Sequence, residues 1–266
     1  MRPCPALLLA AAALACGPAQ AGPVLRYLGI ASDPTGRTVY QEEHLLRSDD
    51  EGGEERVVLY RCPGGEPFAR KRLTRPGSSF LPRFELADRR AGWREGIAAG
   101  AAGLVAFAGP IDAAAPPRPL PAPAPDWVAD AGFDAFIMAR RDELEAGRVL
   151  QFEFLLPTRA RPTTLRVRKL GEGEALGRPA SRYRLELGAW YRLLAPHIDG
   201  WYDRGSGRLL RYEGLSNLRS PSGDNFWVRI DFPPSQRQAG IAAEQLDQAL
   251  RKPLVGHCPG LSPDAS

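Results

Sequence analysis

Short segments that alternate apolar and polar residues, punctuated by Gly/Pro turns, restrict this chain more than any other feature of its sequence. Residues 38–46 set Val39, Gln41, Glu43 and Leu45 against Tyr40, Glu42, His44 and Leu46. Period-two segments of this length are half-buried strands. The pattern recurs at 24–30, 56–61, 67–73, 80–86, 92–97, 164–170, 182–187, 208–218 and 226–232. Residues 103–107 and 149–156 are more continuously apolar. Cys62-Pro63-Gly64-Gly65, Asp88-Arg89-Arg90 and Arg204-Gly205-Ser206-Gly207 separate neighbouring strands by hairpin-length turns. Short turns leave only antiparallel pairing. Strands with one greasy and one charged face imply a sheet covered on one side.

One helix interrupts this series. Asp130 is placed as its N-cap, and Phe133, Phe136, Ile137, Met138 and Leu144 supply an apolar stripe that Gly147 closes. A proline-dense stretch at 110–126, read as an extended loop, precedes it. A modest helix is expected over 241–251 and a short helix or turn near 190–198. The expected fold is therefore mainly β: about ten strands in a curved antiparallel sheet, an open half-barrel, with one inserted amphipathic helix at 130–146 and a short C-terminal helix. Residues 22–255 are expected to form one domain, and 256–266 a tail.

The start of the chain reads as an address. Arg2, an uncharged Ala/Leu run and Ala19-Gln20-Ala21 make residues 1–21 a secretory signal peptide cleaved after Ala21. Lipid anchoring through Cys16 is the second reading, but position 13 is Ala rather than Leu. Removing Arg2 with the leader takes the formal net charge from +4 to +3, too mild to imply nucleic acid. All but Lys71, Lys169 and Lys252 of the 35 basic residues are Arg, a bias of GC-rich bacterial genomes. Export and this composition point to the periplasm, with no transmembrane segment in the mature chain. Two mature cysteines, Cys62 and Cys258, are expected to pair there and tie the tail to the body.

Motifs of catalysis are missing. His44, His197 and His257 are scattered, and there is no H-E-x-x-H, no G-x-S-x-G and no glycine-rich phosphate loop. No metal, cofactor or catalytic residue is expected. Glu42 and His44 share a strand face beside Tyr40. They read either as an acid/base pair in a cleft or as a solvated or buried hydrogen-bonded group. Arg70, Arg72, Arg94, Arg166, Arg168, Arg182, Arg184, Arg211 and Arg229 recur at period two among acids. That is an outer face of cross-strand ion pairs or an Arg-lined groove for an anionic head group.

The helix at 130–147 and the hairpin Trp201-Tyr202-Asp203-Arg204-Gly205-Ser206-Gly207-Arg208-Leu209-Leu210-Arg211-Tyr212, with its D-x-x-S-G-x-apolar turn, resemble the periplasmic lipoprotein-carrier (LolA/LolB-like) superfamily. That resemblance implies an incomplete barrel with helices in its mouth as a lid. The chain departs from it by lacking a helix before the first strand, and its proline loop and cysteine pair are additional. An apolar concavity under the helix would then place Phe133, Phe136, Ile137, Phe152, Phe154 and Tyr212 against a lipid or lipoprotein-like ligand. The alternative is a module with a filled core that engages an envelope protein.

Overall fold

A computed structural model describes residues 23–76, 79–113, 116–188, 197–220 and 223–259. The leader, Cys16 and most of the segment expected near 190–198 lie outside these residues. Among the described residues no helix is long and apolar enough to cross a membrane.

The chain first lays down β1 (Val24–Ser32), β2 (Thr38–Ser48), β3 (Glu54–Arg61), β4 (Pro67–Arg75), β5 (Arg83–Asp88), β6 (Trp93–Gly100), β7 (Gly103–Pro110) and β8 (Arg118–Pro119) as a meander. It then crosses to the far edge with β9 (Trp127–Val128) and the helices α1 (Gly132–Ala139) and α2 (Arg141–Glu145). From there β10 (Leu150–Leu156), β11 (Arg161–Ala175), β12 (Arg178–Leu187), β13 (Ile198–Asp203), β14 (Leu209–Arg219) and β15 (Asn225–Asp231) step back until β15 meets β1. After a 3-10 turn at Pro234–Gln236, β16 (Arg237–Ile241) pairs with the start of β1, and α3 (Glu244–Arg251) comes last.

Among the described residues, sixteen strands belong to one sheet that is not closed by hydrogen bonds. Its pairing is antiparallel except where β9 runs parallel to β10. The strand number exceeds the ten expected partly because β8 and β9, of two residues each, flank or interrupt the proline-dense stretch, where no alternation can show. β16 is a further addition: Pro233 and Pro234 break a long strand into β15 and β16, since neither offers an N–H to the ladder.

The sheet curls. Leu73, Phe84 and Ile97 from one half share a cluster with Trp127 and Leu155 from the other. Arg118 of β8 donates 2.7 Å bonds to the carbonyls of Pro157 and Thr158, in the turn after β10. Side chains rather than a ladder thus bring the two edges together.

Three expectations need correcting. The helix at 130–146 is two pieces, broken at Arg140 (φ −112°, ψ 14°). Asp130 is not its N-cap: it sits in the left-handed region (φ 44°), Ala131 holds the cap position, and no side chain caps the helix. The outer face is also not bare everywhere. Leu246 and Ala249 of α3 cover Val24, Leu45, Val57 and Leu59, so β1–β3 are buried on both faces. Arg70 Nη1 donates to the Lys252 carbonyl at 2.9 Å, closing the C-terminal end of α3. Beyond it Val255 N–H bonds the Pro67 carbonyl at 2.9 Å. Cys258 is joined to Cys62 with Cα atoms 5.4 Å apart, ordinary disulfide geometry.

Candidate functional site

On α1, Phe133, Phe136 and Ile137 fall at i, i+3 and i+4 and share a face. That face meets β10. The Phe136 ring lies 4.6 Å from Phe152, Phe133 lies 6.0 Å from Phe152, and Phe154 lies 6.5 Å from Phe152. Val128, Leu144, Val167, Tyr183, Leu185 and Tyr202 complete the cluster. Five of the six residues picked from sequence thus come together. Tyr212 does not. It lies on β14 in a second cluster with Tyr40, Tyr60 and Phe68, where its hydroxyl donates to the Leu215 carbonyl. Met138, placed in the apolar stripe, is exposed and packs instead beside Gly207 of the β13–β14 turn. Phe136, Ile137 and Phe152 are 4%, 0% and 2% exposed, so α1 fills the concave side of this part of the sheet. The helix begins tight against residue 80: a Cβ at Gly132 would strike the Phe80 carbonyl.

Beside this apolar cluster lies a buried group of charges, of which the sequence pattern singles out Glu42 and His44 but not Arg56, Lys71, Asp130 or Asp134 as a charged group. On β2, Tyr40, Glu42 and His44 point inward; on β3, Arg56, Val58 and Tyr60 share that parity, and on β4, Ala69, Lys71 and Leu73 do. The register agrees, pairing Glu42 with Tyr60, His44 with Val58, and Val58 with Lys71. A charge standing at an apolar parity was the available signal.

Each charge has a partner. Lys71 Nζ donates to Asp130 at 2.7 and 3.0 Å. The Tyr202 hydroxyl donates to Asp134 Oδ1 at 2.8 Å. Arg56 Nε lies 2.7 Å from Glu54, and His44 Nε2 lies 2.9 Å from Glu42 Oε2. The His44 ring stacks on Tyr27, its cross-strand neighbour, at 4.4 Å. Glu42 and His44 are therefore a buried hydrogen-bonded pair rather than a solvated face.

Burial sets the protonation of this group. It holds the His44 imidazole below the usual histidine range despite Glu42. It raises the Asp134 carboxyl against the pull of Arg56 and Tyr202. The Tyr202 phenol is raised by burial and then by Asp134. Although burial opposes its charge, the Arg56 guanidinium is held above its usual value, with Glu54 and Asp134 among the groups that favour the charged form. Among the described residues no group of three or more metal-binding side chains converges.

What the arrangement does is fasten the inserted segment. Asp130 and Asp134 anchor its start to β4 and β13. At its other end Glu145 accepts from Lys169 Nζ at 2.6 Å and from the Tyr183 hydroxyl. Burial works against the Glu145 charge, but Lys169 and Tyr183 draw its carboxyl down to about 2. Arg141 also donates to the Arg204 carbonyl.

The arginine stripes largely face carboxylates across strands. Arg184 Nε lies 2.7 Å from Asp199, Arg182 2.5 Å from the same group, and Arg211 2.6 Å from Asp231. Arg166 pairs with Glu186. These belong to the ion-paired outer face anticipated from the sequence.

No protein-family model and no curated protein matches this chain. Among solved structures it is similar to MucB of Pseudomonas aeruginosa in its complex with MucA, at 15% identity and a TM-score of 0.36, over 85% of this chain and 56% of that one. It is similar to a β-barrel-like protein of the DUF1849 domain of unknown function from Brucella abortus, at 6% identity and 0.41, over 82% and 98%. A putative outer membrane lipoprotein-sorting protein domain from Vibrio parahaemolyticus gives 7% identity and 0.31, over 88% and 93%. This chain spans just over half the length of the MucB chain. These likenesses assign neither ligand nor partner.

Proposed function

We propose that this is a periplasmic binding or carrier-type protein whose bent sheet shelters an apolar or amphiphilic envelope ligand. The observation that carries this reading is the inserted segment itself. α1 and α2, of eight and five residues, are too short to be stable alone. They occupy the concave face only through one aromatic stripe and a few polar fastenings. An acyl chain that displaced Phe133, Phe136 and Ile137 from Phe152 and Phe154 would meet the same apolar surface. Tyr212 would border the ligand only if it extended into the second cluster. The leader at 1–21 supports delivery to the periplasm, where residues 22–255 would act as one unit.

Native mass spectrometry after mild purification from the periplasm tests this reading. A retained lipid or lipidated peptide, lost on Phe136→Asp, is the expected result. A protein that never retains one refutes it.

A second reading is favoured by the near-complete burial of Phe136, Ile137, Leu144 and Phe152. In it the core stays filled and the molecule is an envelope interaction module. Cross-linking in intact cells would then give one specific protein partner, with no bound lipid.

A further inference from the structure

Where Pro233 and Pro234 break the strand between β15 and β16, a small cleft of about 100 Å³ enters the molecule. Its walls are the start of β12, the β13–β14 turn and the middle of β1. Leu28, Leu210, Phe232 and the two prolines give it an apolar floor, with Arg178, Arg208 and Arg237 around it. None of the lining residues is acidic.

Two of these arginines differ from the ion-paired ones on the outer face. Arg178 has a carboxylate, Asp203, at 2.5 Å. Arg208 and Arg237 have no carboxylate within ion-pair distance among the described residues. Arg237 opens β16 opposite Tyr27, and its guanidinium lies 4.8 Å above the Tyr27 ring. Its Nε is buried and has no hydrogen-bond acceptor. A buried donor left unmade is costly, about 1–3 kcal/mol, and is uncommon in folded proteins. Burial and the nearby Arg208 charge both push the Arg237 guanidinium down from its usual value. Two guanidiniums without a carboxylate partner among the described residues, lining a cleft with no acidic residue in its wall, form a receptor for an anion.

We infer that this cleft is a binding site for a phosphate group, held by Arg208 and Arg237 and oriented by Arg178. A phosphomonoester carries close to two negative charges at neutral pH, matching the two unpaired guanidiniums. Planar guanidinium forks suit its oxygens. The apolar floor adjoins the aromatic cluster through Leu209, which packs against it. Two sources share this chemistry, the head group of an amphiphile and a soluble ester; only the first rests on the binding-protein reading.

Titration calorimetry of the full mature chain with inorganic phosphate and with glycerol 3-phosphate tests the site. Co-sedimentation with phosphatidylcholine vesicles, with and without phosphatidic acid, tests the source. The expected result is phosphate binding that weakens as salt is raised and falls at least about tenfold in Arg208→Gln/Arg237→Gln. Arg166→Gln, on the outer face, should leave it unchanged. Arg208→Gln alone, at an exposed turn position, serves if the double variant folds poorly. Binding to phosphatidic acid vesicles but not to phosphatidylcholine alone identifies a head group; binding to inorganic phosphate or glycerol 3-phosphate without binding to phosphatidic acid vesicles identifies a soluble anion. Absence of binding to all of these, or binding indifferent to both arginine variants, overturns the inference. A protein that binds phosphate yet never retains lipid would overturn the carrier reading while leaving this site standing.

Discussion

The pair between Lys71 and Asp130 bridges the sheet and the inserted segment, and Asp130→Asn isolates its contribution. Both side chains are nearly sequestered, 9% and 10% exposed, and two bonds of 2.7 and 3.0 Å join them. Removing one member of a buried pair leaves the other charge uncompensated, which costs about 3–5 kcal/mol. Asparagine retains an oxygen acceptor for Lys71, so the lower end, about 3 kcal/mol, is expected. It also tolerates the left-handed backbone at this position (φ 44°), so conformational strain does not confuse the result. With a urea m-value of about 2–3 kcal/mol/M, the midpoint should fall by about 1 M. Lys71→Met/Asp130→Asn removes both charges and should recover most of that loss, because an apolar replacement of a buried pair is often near neutral. Equilibrium urea unfolding followed by tryptophan fluorescence and far-UV circular dichroism gives all three midpoints. A single variant within about 0.5 kcal/mol of wild type would refute the reasoning, as would a double variant no more stable than the single.

Three further outcomes can be checked by the same unfolding assay. Cys62→Ser/Cys258→Ser opens a loop spanning 196 positions and should lose up to about 5 kcal/mol on the chain-entropy model; equal midpoints with and without the bridge would contradict it. Phe136→Ala empties the centre of the aromatic cluster and should cost about 3–5 kcal/mol, so a loss below about 1 kcal/mol would show that α1 does not depend on this packing. His44 takes up its proton below the usual histidine value of 6.5 when folded, so the unfolded chain binds more protons just below about pH 6.5 and stability falls as the pH drops through that value toward the folded one. His44→Gln should abolish that component between about pH 7 and 5, and an unchanged difference between wild type and variant across that range would exclude it.

Much of this architecture is legible in the sequence because the long strands carry their own evidence. The strand at 38–46 forms as expected, and the glycine turns at Gly65 and Gly207 form where their spacing places them. The aromatic stripe of α1 also reads directly, since Phe133, Phe136 and Ile137 can only share a face. Other features are not local. β8 and β9 are too short to show a period, and only their neighbours make them strands. The break at Arg140, where the backbone leaves helical angles, has no glycine or proline to mark it in the sequence. The polar interior is half visible: Arg56 and Lys71 stand at apolar parity, but the Lys71 partner Asp130 comes from a segment that only the closed fold brings near. Tyr212 was misplaced beside the helix because strand alternation gives its face and not its neighbours around the bend.

β1 is the seam of the molecule: residues 30–32 zip to 229–231 and residues 24–27 to 237–241. Strands β2–β8 hang from one flank of that strip and β9–β16 from the other. The earliest strand to be made must therefore wait, with one flank bare, for nearly the last. Such a delay implies slow assembly dominated by distant pairings and a need for protection from intermolecular zippering until the final ribbon arrives.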